Sequence, residues 1–175
     1  MAEIIPDQIL DAALKEIANF SDAEARAEID RISIVQPALV EYFIAMTEDS
    51  SEDVQSFASA MFIAIHKVFE KQFGPLQKVG TKRVEQIADR NEQAMIYLRI
   101  RQPEEEEFGF VSAAMARSVS QPSLLAYVFE LIRTPKGNVP ELSEIKQDGL
   151  AVIMNTAIDV LDSAVSGLGK FPKSG

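Results

Sequence analysis

A chain of 175 residues with 47% hydrophobic side chains can bury roughly 70% of its unfolded surface in one domain without help from disulfides or metals. Its 17 basic and 27 acidic residues leave a net charge of −10, which repels nucleic-acid phosphates and anionic lipid surfaces, so neither nucleic acid nor membrane is an expected partner. The lack of cysteine removes disulfides, thiolate metal sites and cysteine nucleophiles together.

Met1 to Gln8 carries acidic residues and no basic start to an apolar stretch, which argues against a secretory leader. The longest unbroken apolar run, Ala60 to Ile65, falls far short of the ~20 residues that span a bilayer. A cytoplasmic location is the expectation.

Apolar residues recur at helical spacing along the chain, and no run alternates with the period of a strand. Asp7 to Phe20 places Ile9, Leu10, Ala13, Leu14, Ile17 and Phe20 on one face, with Pro6 suited to the first turn. Ser21 and Glu24 form a capping box for a second helix, whose thin stripe of Ala25, Ile29 and Ile32 predicts a peripheral position. Gln36-Pro37 ends it, because proline disfavours helical geometry in the residue before it. A third helix, Pro37 to Met46, carries Leu39, Val40, Phe43 and Ile44.

The polar run Thr47 to Asp53 then opens a long helix from Ser51 to Phe73, about 35 Å at 1.5 Å per residue. Its stripe of Val54, Phe57, Ala58, Met61, Ile65 and Val68, widened by Phe62, Phe69 and Phe73, predicts a central place. Gly74-Pro75 and Gly80 mark the midpoint, after which Thr81 can cap a helix reaching Arg101. The basic residues Lys78, Lys82, Arg83, Arg90, Arg99 and Arg101 there read as a solvated face. Pro103, followed by Glu104 to Glu107, starts another helix through Phe108, Val111, Met115 and Val119, and Gln121-Pro122 breaks it. A helix with Leu124, Leu125, Val128, Phe129 and Ile132 follows, then a turn over Thr134 to Pro140. The last helix, Ser143 to Ser166, lines up Leu150, Ile153, Met154, Ala157, Ile158, Leu161 and Val165, and residues 169–175 form a mobile tail.

Ser33 to Met46 aligns with Ser118 to Leu131, with Ser, Gln, Pro, Leu and Tyr identical and most other positions still apolar. A second match follows in order, Met61-x-x-Ala64-Ile65 against Met154-x-x-Ala157-Ile158. These predict an all-α fold of about eight helices in two similar four-helix halves, 1–76 and 81–168, inside one compact domain over 1–170. The halves would pack about an approximate twofold axis or stack as a short solenoid.

Chemistry is sparse. The single histidine, His66, cannot furnish the paired histidines of di-iron bundles or zincins, and His66 with Glu70 leaves a metal short of ligands, so no metal or other cofactor is expected. No nucleophile elbow, Walker loop or dinucleotide fingerprint is present, and the acidic pairs sit at helix starts, where the helix dipole accounts for them. No residue is assigned a catalytic role.

His66 is expected between Phe62 and Phe69 at the core edge, with its nitrogens hydrogen-bonded or wet. The Gln-Pro-x-Leu-x-x-Tyr elements offer a candidate groove lined by Gln36, Tyr42, His66, Gln121 and Tyr127. The alternative for the same residues is structural, with prolines fixing bends and tyrosines at the core boundary. The functional expectation is a non-enzymatic helical module for protein interaction or regulation, with an unknown protein partner. Its alternative is a binder of a small apolar ligand held between the halves, with Met61 and Met154 as adaptable walls.

Overall fold

The computed structural model of the protein describes residues 3–101, 121–133 and 144–168. All regular structure among them is helical: α1 (Asp7–Ile17), α2 (Asp22–Val35), α3 (Pro37–Thr47), α4 (Glu52–Phe73), α5 (Thr81–Arg101), α6 (Pro122–Arg133) and α7 (Glu144–Leu168). The helix expected after Pro103, the turn over Thr134 to Pro140 and the tail 169–175 lie outside the described residues.

Local chemistry explains most helix ends. The serine side of the capping box of α2 forms: Glu24 N–H donates to Ser21 Oγ at 3.2 Å, while the Glu24 carboxylate accepts from the Ser21 hydroxyl at 3.1 Å. Ser51 caps α4 the same way, accepting from Val54 N–H at 3.3 Å. Helix α1 stops at Ile17, short of the expected Phe20, because Phe20 N–H turns back to the Ile17 carbonyl at 2.9 Å and Asn19 Nδ2 caps the Lys15 carbonyl. Beyond α3, Gln55 Nε2 donates to the carbonyls of Thr47, Glu48 and Ser50, holding the turn into α4.

Helices α4 and α7 form the centre of the bundle and pack on each other. Helix α4 also receives α1 and α2, while α7 receives α3, α5 and α6. Their apolar stripes explain this choice: Met61, Phe62, Ile65 and Val68 of α4, and Met154, Ile158 and Leu161 of α7, are all buried. Phe43 of α3 stacks on Phe62 with ring centroids 4.4 Å apart. Helix α2 is peripheral as its thin stripe predicts, with Ile32 its one fully buried residue.

Polar pairs fix the outer helices on this centre. Lys67 and Lys71 of α4 reach Glu16 of α1 at 3.0 and 3.1 Å. Arg90 and Asn91 of α5 meet Asp159 of α7, and Asn91 also bonds Thr156. Among the described residues, no helix is long and apolar enough to cross a membrane.

Candidate functional site

Gln36 sits between α2 and α3, where Pro37 ends one helix and starts the next, and its side chain is wholly buried. Its Oε1 accepts from Val79 N–H at 3.1 Å, and its Nε2 donates to the Gln77 carbonyl at 2.7 Å. Gln121 occupies the matching position before α6 and is 1% exposed. Its Oε1 accepts from Ile5 N–H at 3.0 Å, and its Nε2 donates to the Glu3 carbonyl at 2.9 Å. A further bond joins Gln121 Nε2 to Asp162 at 3.2 Å. Both amides therefore hold an extended segment that leads into a helix, α5 in one case and α1 in the other.

The tyrosines lie lower in chemical interest. Tyr42 is half-buried and its hydroxyl approaches Thr156 of α7, with burial raising its pKa. Tyr127 is half-buried as well, and burial raises its pKa too, helped by the nearby Asp11 of α1. Gln36, Tyr42, Gln121 and Tyr127 share no hydrogen-bond partner among the described residues.

His66 departs most from expectation. It is 1% exposed, deeper than the core edge, with Nδ1 2.9 Å from Glu70 Oε1 one helical turn on. The distance is that of a hydrogen bond, but the carboxylate lies off the line of the ring N–H, so the contact is chiefly electrostatic. Among the described residues Nε2 has no hydrogen-bond partner, and it is shut off from solvent. Glu70 in turn accepts two bonds from the Arg31 guanidinium of α2, at 2.6 and 3.1 Å. Arg31 also bonds Glu28 one turn back, at 3.0 Å. The result is a chain of alternating charge, Glu28, Arg31, Glu70, ending on a buried imidazole.

The electrostatics follow from this order. Burial lowers the His66 pKa more than the Glu70 charge raises it, so the ring is neutral at neutral pH. Glu70 is held below the usual carboxylate range by Arg31 and His66, against the opposing effect of its own burial. With an ionised carboxylate beside Nδ1, the proton of the neutral ring belongs on Nδ1, leaving a lone pair on Nε2.

Beside His66 lies a cavity of about 250 Å³, partly open to solvent and lined by Val35, His66, Glu70, Gly74, Pro75 and Leu76. Gly74 has φ 74°, a left-handed conformation that glycine adopts without strain, and this turns the chain sharply out of α4. The same turn then runs into the Gln77 to Val79 segment held by Gln36. Gln36 thus holds the chain just beyond the cavity wall and is not part of the cavity lining.

No family model, curated protein or solved structure matches this chain.

Among the described residues, no group of three or more histidine, cysteine or acidic side chains is placed to hold a metal ion. What the corner between α2 and α4 provides is a recess walled by Val35, Pro75 and Leu76 that also has the Glu70 carboxylate and the buried His66 ring in its lining. The residues that sequence reasoning missed are Arg31, Glu28 and the Gly74 to Leu76 turn. The spacings Glu28 to Arg31 and His66 to Glu70 are visible as same-face pairs on two helices, but their meeting depends on tertiary packing.

Proposed function

We propose that the protein is a non-enzymatic helical interaction module whose recognition centre is the corner between α2 and α4. One observation carries this reading: next to the His66 cavity the end of α2 presents Ile34, 80% exposed, and Val35, 38% exposed, with Pro75 exposed opposite. Apolar side chains around a recess that also holds a carboxylate and an imidazole have the make-up of a site that admits a partner's side chain. The test is co-purification of full-length chain carrying Ile34→Glu and Val35→Glu beside the unaltered chain. A stoichiometric protein lost from the folded double variant supports the corner, and equal retention on both removes it.

The two halves are read as copies of one unit. Supporting this, each glutamine of the Gln-Pro pairs accepts from an N–H two residues after the carbonyl to which it donates, and each gripped segment ends two residues before a helix. Helix α1 packs on α4 as α5 packs on α7, and each half's glutamine holds the lead-in to the other half. An experimental structure tests this by superposition of residues 3–17 and 36–73 on 77–91 and 121–168, with the turn after α6 omitted. Failure of the last two helices to coincide removes the duplication.

The alternative function is uptake of a small apolar ligand between the halves. Supporting it, Met61 and Met154 are both buried on the two helices that meet there, and methionine adapts its shape to a guest. Native mass spectrometry of gently purified protein would reveal such a compound.

A further inference from the structure

Glu70 Oε1 faces two groups at once: it accepts from Arg31 Nη2 at 2.6 Å and lies 2.9 Å from His66 Nδ1. Arg31 belongs to α2, whereas His66 and Glu70 belong to α4. Among the described residues, the bonds from Arg31 to Glu70 are the side-chain polar bonds that tie α2 to another helix. The apolar hold on α2 is small, with Ile32 fully buried and Ala25 and Ile29 half-buried.

With the imidazole neutral, Arg31 meets a single negative charge on α4, that of Glu70. A proton on His66 cancels that charge and sets a second cation beside the shared oxygen. The ring is 1% exposed, and neither nitrogen has a hydrogen-bond partner among the described residues to stabilise the added charge.

We propose that the Arg31 to Glu70 bond is an acid-released clamp: protonation of His66 weakens the hold of Arg31 on Glu70 and lets α2 leave α4 while the rest of the bundle stays folded. The clamp is independent of any recognition by the corner, yet it reaches the corner, because Val35 belongs both to α2 and to the cavity wall. Burial and then Arg31 hold the His66 pKa down, and the lift from Glu28 is smaller than the effect of Arg31, so the charges of α2 together resist the proton. By reciprocity the proton loosens α2 by the same factor. Glu28 is bonded to Arg31 and travels with α2. Helix α1 brings Glu16 to α4, where Lys67 and Lys71 hold it, and Asp159 and Asp162 of α7 bond Arg90 and Gln121. Opening therefore grows as pH falls below 6.5, by at most about tenfold per pH unit, the limit for one proton.

Amide hydrogen exchange of the full chain tests this at neutral pH and at about pH 5, above the ordinary carboxylate range, with rates corrected for the intrinsic effect of pH. Protection of the α2 amides should fall about fivefold or more on acidification, while the central amides of α4 and α7 keep theirs. Helix α5 is no reference, because burial raises the pKa of Asp159, which ties it to α7. His66→Leu should keep α2 protected at both pH values. Arg31→Met should leave α2 weakly protected already at neutral pH, with a smaller fall in acid. Constant α2 protection in the unaltered chain, a joint loss from α2, α4 and α7, or the full acid loss persisting in His66→Leu overturns the proposal. Where a variant does not fold, the first two outcomes, read on the unaltered chain, still decide it.

Discussion

Replacing Gln36 with leucine keeps side-chain volume nearly constant while deleting both bonds to the Gln77 to Val79 segment. Val79 is buried, so its N–H loses its acceptor without gaining water, at about 1 to 3 kcal/mol. Gln77 is exposed and its carbonyl can be rehydrated, so that loss is a net bond of about 0.5 to 1.5 kcal/mol. The expected destabilisation is therefore about 1.5 to 4.5 kcal/mol. Gln121→Leu should cost at least as much, because buried Asp162 loses a donor in addition to the Ile5 N–H losing its acceptor. Urea unfolding measures both, with the midpoint falling and the slope unchanged. Hydrogen exchange locates the effect: the Val79 amide should lose protection in Gln36→Leu and the Ile5 amide in Gln121→Leu, without crossing over. Losses under about half a kcal/mol with both amides still protected would refute the reasoning that these bonds are buried and irreplaceable.

Three further outcomes are expected. Met61→Ala and Met154→Ala should each cost about 2 to 5 kcal/mol in denaturant unfolding, since both side chains are buried at the α4 and α7 junction. His66, whose folded pKa lies below its ordinary 6.5, contributes stability that is complete above pH 6.5 and is lost as pH falls below it, because the unfolded chain then binds a proton that the folded one resists. The charged groups nearest the ring are Glu70 on its own helix and Arg31 and Glu28 on α2, and His66→Leu should flatten the decline between pH 6.5 and the titration of Glu70, seen as urea midpoints across pH. Arg31→Met removes a cation that holds down the His66 pKa and frees Glu70 to pair with imidazolium, so NMR titration of the histidine should give a higher pKa than in the unaltered chain.

The helices were readable because their causes are local. Ser21 with Glu24, Pro37 after Gln36, and the wide stripe of α4 each act within a few residues, and the observed ends fall within a few positions of those expected. Phe20 is an instructive exception: its apolar character suits the α1 face, yet the Asn19 cap closes the helix before it. The site was partly readable. A lone histidine on a central helix is visible in the sequence, but its depth depends on tertiary packing around α4, and α2, whose Arg31 reaches Glu70, has too thin a stripe to specify where it docks. The Gln-Pro pairs stood out as a repeated pattern, whereas their partners, Gln77 with Val79 and Glu3 with Ile5, lie 41 to 43 and 116 to 118 residues away and carry no signature of their own.

The turn from Gly74 to Val79 belongs to two structures at once, forming a wall of the His66 cavity at its start and the lead-in to α5 at its end. The shape of that wall and the start of α5 therefore depend on the same short stretch of backbone. A change that loosens Gln36 should be felt on both sides of Gln77, as lost amide protection in the wall as well as at Val79.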